Sequence, residues 1–319
     1  MADAPFEPTV RDNYLYARGA SDDKGQAFIH VKAVQAHLRA NGRLPVNVKF
    51  IMGRGRRRAV GPACTPSSPK IKSLLQADVA LVSDTAMIGK GTPSIVYGLR
   101  GMCYLLMDIT GPGRDLHSGS FGGGIDNPLN VLGHIIAKLK DENGRILIPG
   151  FYDKVRELSP AERETLAQYQ FDEAGWLAET GAPQTWGEPE YTLVERLGAR
   201  PTLDVHGIIG GYTGPGGKTV LPAAAHCKLS MRLVPDQDPQ QIEAAFREYL
   251  QAIAPPTVTV TIHSVSGAPA TITDLSIPAM KAAVAAYTET YGKEPIFMRE
   301  GGSIPVVGQF QKQLDLKLC

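Results

Sequence analysis

The sequence predicts an α/β protein that carries an inserted α+β module. Three observations lead to this fold class. In residues 1–95, apolar strand patterns alternate with helical patterns, which is typical of βαβ units and a parallel or mixed sheet. Residues 96–268 follow a β-α-β-β-α-β order, which is the order of a ferredoxin-like module. Residues 269–319 return to a long helix and a glycine-rich loop, so the first domain resumes after the module.

The predicted first domain begins with the apolar segment Tyr14-Leu15-Tyr16 and a glycine-flanked turn. A helix is predicted next, ending at Asn41-Gly42, because four apolar residues recur at helical spacing: Phe28, Val31, Val34 and Leu38. An alternation of apolar and polar residues then predicts a strand through Val46, Val48 and Phe50. A second helix over 71–75 leads to a short apolar strand over 79–82, which is followed by Asp84.

The predicted module begins with a long strand or hairpin over 96–110 and an amphipathic helix over 127–140. Four further elements complete it: strands near 204–213 and 225–234, a helix over 239–252 and an alternating strand over 258–265. The resumed first domain, residues 269–319, contributes a helix over 277–291 and then the loop at 299–303.

The composition of the 319 residues is that of an ordinary globular protein, with 43% hydrophobic and 20% charged residues. A formal net charge of +1 gives no general reason to expect nucleic acid or an acidic membrane as a partner. The four cysteines form no CxxC pair, which favours a reducing compartment. The first residues do not have the pattern of a signal peptide, and no apolar run approaches the roughly 20 residues that cross a bilayer. We therefore expect a cytoplasmic protein.

Asp22 and Asp84 are the first candidate functional residues, because each follows an apolar strand pattern. Asp22 lies in the octet Arg18-Gly19-Ala20-Ser21-Asp22-Asp23-Lys24-Gly25. Carboxylates that follow neighbouring strands meet at one rim of a sheet, where α/β folds carry out their chemistry. Paired hard oxygen ligands suit a two-metal hydrolytic site. The alternative is that Asp22 and Asp23 only cap the following helix, and the spacing alone leaves both interpretations open.

The octet, with its Asp-x-Lys-Gly core, resembles the metal-bridging aspartate motif of the M20 family of zinc metallopeptidases. The resemblance extends over nearly the whole chain, apart from about residues 53–69 and the last few residues. It implies a zinc-peptidase-type catalytic domain interrupted by a lid that forms a homodimer. It also implies hydrolysis of amide bonds in dipeptides or N-acyl amino acids. Two zinc ions would share Asp22, and Asp84 would be the next ligand. The segments Tyr97–Gly101 and Asp115–Gly119 look most like the dipeptidase and carnosinase branch.

The same resemblance implies substrate-facing roles for four further residues. His117 would reach into the partner subunit's active site and hydrogen-bond the substrate carbonyl or the oxyanion formed from it, for which an imidazole is well suited. Arg232 would bind the terminal carboxylate of the substrate through its planar fork. Thr219 and Ser303 match substrate-contacting positions. Without the resemblance, simpler interpretations remain: a solvated histidine, an internal salt bridge for the arginine, and two ordinary turn residues.

The sequence departs from the family pattern after Phe50. The family's general-base glutamate and the adjacent zinc-binding glutamate would fall at Arg56 and Arg57. Residues 51–77 contain six basic residues and no acidic one. Glutamate and glycine codons read one base out of register give mainly arginine and glycine codons, so residues 53–68 have the composition of a frame-shifted stretch. Two zinc-binding histidines of the family would fall outside the two ends of the given sequence.

We therefore expect this chain to bind zinc weakly or not at all and to have little or no peptidase activity. The alternative is a non-catalytic protein that homodimerises through the lid. The basic run at 54–58 leaves nucleic-acid binding as a third interpretation, which would require salt-dependent binding. The partners that we expect are a small peptide or N-acyl amino acid and a second copy of the chain, with no nucleic acid and no membrane.

Overall fold

The structure is a computed structural model that describes residues 4–51, 69–85, 87–89 and 91–319. The chain divides into two compact units. Unit 1 consists of Met1–Ser94, Ser276–Pro295 and Gln309–Cys319, and unit 2 consists of Ile95–Leu275 and Ile296–Gly308. Unit 2 is therefore inserted into the sequence of unit 1. Among the described residues, no helix has the length and apolar character needed to cross a membrane.

The strands, in chain order, are β1 (Thr9–Arg11), β2 (Tyr14–Tyr16), β3 (Val79–Ala80), β4 (Ser94–Leu99), β5 (Gly101–Thr110), β6 (Leu116–His117), β7 (Thr202–Gly210), β8 (Val220–Leu221), β9 (Ala224–Leu233), β10 (Thr259–Ala268), β11 (Thr271–Ile272), β12 (Ile296–Glu300) and β13 (Lys317–Leu318). The helices are α1 (Gly25–Asn41), α2 (Pro69–Leu75), α3 (Ser118–Phe121), α4 (Pro128–Ala137), α5 (Pro160–Ala167), α6 (Glu173–Thr180), α7 (Leu193–Ala199), α8 (Pro239–Ile253), α9 (Pro278–Tyr291) and α10 (Pro305–Leu314). A π-helical turn at Ala20–Lys24 precedes α1.

Unit 2 is built on a four-stranded antiparallel sheet in the order β10-β5-β9-β7. With these strands numbered along the chain, the order is 4-1-3-2, and α4 and α8 connect the strands in a β-α-β-β-α-β sequence. This is the ferredoxin-like module that the sequence predicts, and the prediction is confirmed. A second sheet in unit 2 has the order β11-β4-β12.

The core of unit 2 lies between the four-stranded sheet and the helices α4 and α8. Alternate residues of β5, among them Leu105 and Met107, are completely buried, as the period of a strand with one covered face requires. On α8, the buried residues Ile242, Phe246 and Leu250 recur every four residues and form one apolar face. Two faces with matching apolar patterns therefore make the core.

Polar caps fix where the two core helices begin. The Asn127 side chain accepts a hydrogen bond from the Leu129 N–H, and the Asp238 side chain accepts from the N–H groups of Gln240 and Gln241. A proline follows each cap at the first helical position, where its missing N–H costs nothing. These caps explain why the helices predicted near 127–140 and 239–252 are found close to those positions.

Unit 1 contains the predicted helix α1, which ends at Asn41 and is followed by Gly42 in the left-handed conformation, with φ 71°. Strands β3 and β13 form a parallel pair. The prediction of a strand through Val46, Val48 and Phe50 is wrong, since these residues lie outside any strand and all three side chains are exposed. A strand needs a neighbour to complete its backbone hydrogen bonds, and alternation in the sequence does not supply one.

Candidate functional site

His117 and Thr219 are 102 residues apart in sequence and lie side by side in unit 2. The short strands β6 and β8 pair antiparallel, with His117 opposite Val220, and the Ser118 N–H donates to the Thr219 carbonyl oxygen. The distance from His117 Nε2 to Thr219 Oγ1 is 3.2 Å. Two residues that the sequence singled out separately therefore belong to one constellation.

The imidazole of His117 is oriented by the helix that follows it. His117 is the N-cap of α3, and its Nδ1 accepts a hydrogen bond from the Gly119 N–H at 3.1 Å. A nitrogen that accepts an N–H carries no proton, so we assign the proton of the neutral ring to Nε2. The exposed His117 ring can then donate from Nε2 either to Thr219 Oγ1 or to an oxygen of a bound ligand.

Because Gly119 has no side chain, the His117 ring can lie against its backbone N–H. We expect a Gly119→Ala variant to lose the hydrogen bond from this N–H to His117 Nδ1. The added Cβ would lie 2.8 Å from His117 Cε1 and 3.1 Å from Nδ1, and the ring would have to turn away. Loss of one neutral hydrogen bond, worth about 1 kcal/mol, should change the tautomer ratio of His117 about fivefold. Side-chain ¹⁵N NMR of the histidines would measure this ratio. Gly113→Ala is the matched control, because a Cβ there contacts nothing within 4 Å. A Gly119→Ala spectrum identical to the control would contradict the assignment.

Arg232 and Ser303 form a second pair in unit 2. Arg232 lies on β9 opposite Met102 of β5, and its Nη1 donates to Ser303 Oγ at 2.9 Å. Ser303 Oγ in turn donates to the Arg100 carbonyl oxygen at 2.6 Å. Within the described ranges, no carboxylate lies within 4.0 Å of the Arg232 guanidinium, so the alternative of an internal salt bridge is not observed there. The arginine is therefore available to an anionic ligand.

The two candidate metal ligands lie in unit 1. Asp22 belongs to the π-helical turn before α1 and Asp84 follows β3, and both are exposed. The described part of the chain contains no group of three histidine, cysteine, aspartate or glutamate side chains that could hold a metal ion. A catalytic zinc normally takes three protein ligands, so the described residues do not fit a catalytic zinc site. Arg56 and Arg57, at the positions predicted for the two glutamates, lie outside the described residues.

Two residues of the site were not singled out from the sequence. Gly119 ends the segment Asp115–Gly119 and was given no role there, although its place two residues after His117 is a usual position for an N–H that meets a capping side chain. Arg100 lies between the two apolar strands β4 and β5. An arginine between two apolar strand patterns could have been recognised in the sequence as a partly buried charge.

Comparisons of this chain with family models and with known proteins all indicate the same family. Residues 97–258, about half of the chain, match the family described as "Peptidase dimerisation domain". Residues 1–55 match "Peptidase family M20/M25/M40". The chain is 34% identical to the Cys-Gly metallodipeptidase dug1 of Schizosaccharomyces pombe and 30% identical to the Beta-Ala-His dipeptidase of Homo sapiens. Each of these alignments includes 97% of this chain.

Solved structures agree with the sequence comparison. The fold is similar to that of human carnosine dipeptidase 1, with a TM-score of 0.80, 29% identity and coverage of 99% of this chain and 68% of that one. It is also similar to an M20 family metallo-carboxypeptidase from Sulfolobus solfataricus, with a TM-score of 0.80, 28% identity and coverage of 99% and 71%. The chain spans less than two thirds of the two curated relatives, 66% of the yeast enzyme and 62% of the human one.

Proposed function

We propose that this chain, which belongs to the M20 family of peptidases and carries that family's dimerisation domain, binds dipeptides by their free carboxyl terminus. The observation that carries the proposal is the Arg232–Ser303 pair. A guanidinium whose hydrogen-bond partner in the described part of the chain is a hydroxyl oxygen can bind a carboxylate in a bidentate arrangement. The names of the relatives, Cys-Gly and Beta-Ala-His dipeptidases, agree with a small peptide as the ligand.

The remaining unit 2 residues supply contacts to the peptide bond of such a ligand. We assign to His117 the role of donating the Nε2 proton to a peptide carbonyl oxygen, in the active site of a partner subunit. Thr219 Oγ1 holds the ring in place until the ligand arrives. A donor aimed at a carbonyl also stabilises the negative charge that develops there when the bond is attacked.

We further propose that the chain hydrolyses dipeptides slowly or not at all. The family resemblance implies that Asp22 and Asp84 are metal ligands. It also implies a general-base glutamate and a further zinc-binding glutamate at two positions where this chain has Arg56 and Arg57. Two guanidinium groups repel a divalent cation and cannot accept a proton at neutral pH. Zinc, the metal that the family generally uses, is therefore expected to bind weakly, and binding and hydrolysis are separable in this chain.

The test of carboxylate recognition is an equilibrium titration of the full chain with β-alanyl-histidine and with its C-terminal amide. The two ligands differ only in the negative charge that Arg232 is proposed to bind. We expect the free acid to bind about tenfold more tightly or better, since a charged hydrogen-bonded partner is worth at least about 1.4 kcal/mol. Equal affinity for the acid and the amide would contradict the proposal.

A non-catalytic role as a homodimer is the second candidate, and one observation favours it. The edge strand β7 leaves Ile208 and Ile209 more than half exposed, at 52% and 63%. An edge strand with apolar side chains is a surface on which a second chain can pair. We propose that the dimer forms through this edge of unit 2.

We expect Ile209→Lys to weaken the dimer about tenfold or more, because the substitution places a charge where apolar area would be buried. Light scattering after size-exclusion chromatography, over a range of concentrations, would measure the dimer. Val265→Lys is the matched control, since Val265 is 53% exposed on the opposite edge strand, β10. A dimer that survives Ile209→Lys but dissociates with Val265→Lys would place the interface on the other edge.

A further inference from the structure

The side chain of Arg100 holds the turn that carries Ser303. Its Nε donates to the Gly301 carbonyl oxygen at 3.1 Å, and its Nη1 donates to the Arg200 carbonyl oxygen at 3.2 Å. Gly301 fits closely against this guanidinium, since a Cβ at that residue would lie 2.5 Å from Arg100 Nη2. A Cβ there would also lie 2.7 Å from the backbone oxygen of Leu197, so position 301 requires a glycine, and the turn at 301–303 packs against the Arg100 side chain.

The backbone of Arg100 holds the same turn from the other end. Its carbonyl oxygen accepts the hydrogen bond from the Ser303 hydroxyl at 2.6 Å, which leaves the lone pairs of Ser303 Oγ to accept from Arg232 Nη1. The one proton of the Ser303 hydroxyl is thus committed to backbone carbonyl oxygens, that of Arg100 and, at 3.2 Å, that of Gly101. Because of this commitment, Ser303 presents an acceptor, and not a donor, to Arg232.

Arg100 and Arg232 are also like charges close enough to affect each other. Burial, and then the positive charge of Arg232, lower the pKa of Arg100 to about 10, so Arg100 remains charged at neutral pH. Asp204 opposes this effect from a distance, but it makes its ion pair with Lys140, at 3.7 Å. The hydrogen bonds of the two guanidinium groups go to neutral oxygens. Two positive charges with no carboxylate partner among the described residues attract an anion more strongly than one does.

We propose that Arg100 is a positioning residue of the carboxylate site, which fixes Ser303 against Arg232 and adds a second positive charge that favours an anionic ligand. The inference rests on the proposed carboxylate recognition by Arg232. It goes beyond that recognition because it assigns the selectivity for an anion to a residue that need not touch the ligand. A purely structural clamp would stabilise unit 2 without distinguishing charged from neutral ligands.

The test is to titrate Arg100→Met and Arg100→Lys full-length chains with β-alanyl-histidine and with its C-terminal amide. We expect Arg100→Met to lose about tenfold in affinity for the acid and to keep its affinity for the amide. Arg100→Lys retains the charge without the fork, so its preference for the acid should lie between those of the unsubstituted chain and Arg100→Met. Arg247→Met is the matched control, because Arg247 is paired with Glu243 on the same helix and lies outside the site.

The possible outcomes separate the two proposals. A chain that prefers the acid, with an equal preference in Arg100→Met, overturns the role of Arg100 and leaves that of Arg232. If Arg100→Met loses affinity for the acid and for the amide equally, Arg100 is a structural clamp, and its proposed role in anion selectivity is overturned. A chain without any preference for the acid overturns both proposals. If Arg100→Met does not fold, Arg100→Lys becomes the test variant. An Arg100→Lys chain that prefers the acid over the amide as strongly as the unsubstituted chain does, at both high and low salt, would overturn the positioning role of the Arg100 guanidinium.

Discussion

An Arg232→Met chain is expected to lose about 30-fold or more in affinity for β-alanyl-histidine, because truncating one partner of a hydrogen-bonded charge pair costs about 2 kcal/mol or more. Methionine keeps most of the volume and the apolar stem of the side chain, so the packing between β9 and β5 should change little. Affinity for the C-terminal amide should fall much less, since that ligand has no carboxylate for the guanidinium to bind. Isothermal titration of both ligands would measure the difference.

Arg232→Lys makes this experiment more specific. Lysine retains a positive charge but cannot form the two parallel hydrogen bonds of a guanidinium, so we expect an intermediate affinity for the acid. Arg247→Met, which removes the half-buried ion pair with Glu243, controls for the general loss of one positive charge from unit 2. Equal affinity of the Arg232→Met and Arg247→Met chains for the acid would show that Arg232 does not bind the carboxylate.

A Glu188→Gln chain is expected to lose about 3–5 kcal/mol of unfolding free energy in unit 2, because it leaves a buried guanidinium without its partner. Arg200 and Glu188 are both buried and form a bidentate pair, with Nε to Oε2 at 2.6 Å and Nη2 to Oε1 at 2.7 Å. The Arg200 guanidinium also lies 4.2 Å from the centre of the Tyr191 ring. The pair joins the irregular segment between α6 and α7 to the residue that follows α7, so its loss should destabilise more of unit 2 than the two side chains alone.

Tryptophan fluorescence during urea unfolding would measure this loss selectively. The chain has two tryptophans, Trp176 and Trp186, and both belong to unit 2, so the signal reports on that unit. Arg156→Met is the matched control. Arg156 forms a comparable bidentate pair with Asp236 at the surface, where we expect a change within about 1 kcal/mol. Adding Arg200→Met to Glu188→Gln should recover part of the stability, because it removes the unpaired charge. A Glu188→Gln midpoint equal to that of the control would contradict this account.

The fold of unit 2 could be predicted from the sequence because its signals are local. The helix α8 is indicated by a capping aspartate, a proline after it and apolar residues that recur every four positions. The strand β10 is indicated by the alternation of apolar and polar residues. The same kind of local signal failed at Val48, where alternation predicted a strand that the structure does not have. Whether an extended segment becomes a strand depends on a neighbour distant in sequence, which a local pattern does not reveal.

The candidate site could be predicted only as separate residues. Resemblance to a family picked out His117, Thr219, Arg232 and Ser303 one at a time, and the structure groups them into two hydrogen-bonded pairs. Those pairs depend on the register of β6 against β8 and on the turn after β12, and neither is encoded in motif spacing. Arg100 was missed for a related reason, since its importance lies in the carbonyl oxygens that surround it.

The rate at which the full chain releases histidine from β-alanyl-histidine, with zinc in excess, tests the central claim most directly. The claim is that this M20 chain recognises a dipeptide carboxylate while Arg56 and Arg57 disable the metal chemistry. We predict that histidine release stays at the rate of a protein-free control, at ligand concentrations where titration shows the chain to be saturated. Sustained turnover that scales with the concentration of the chain and stops on addition of a chelator would contradict the account.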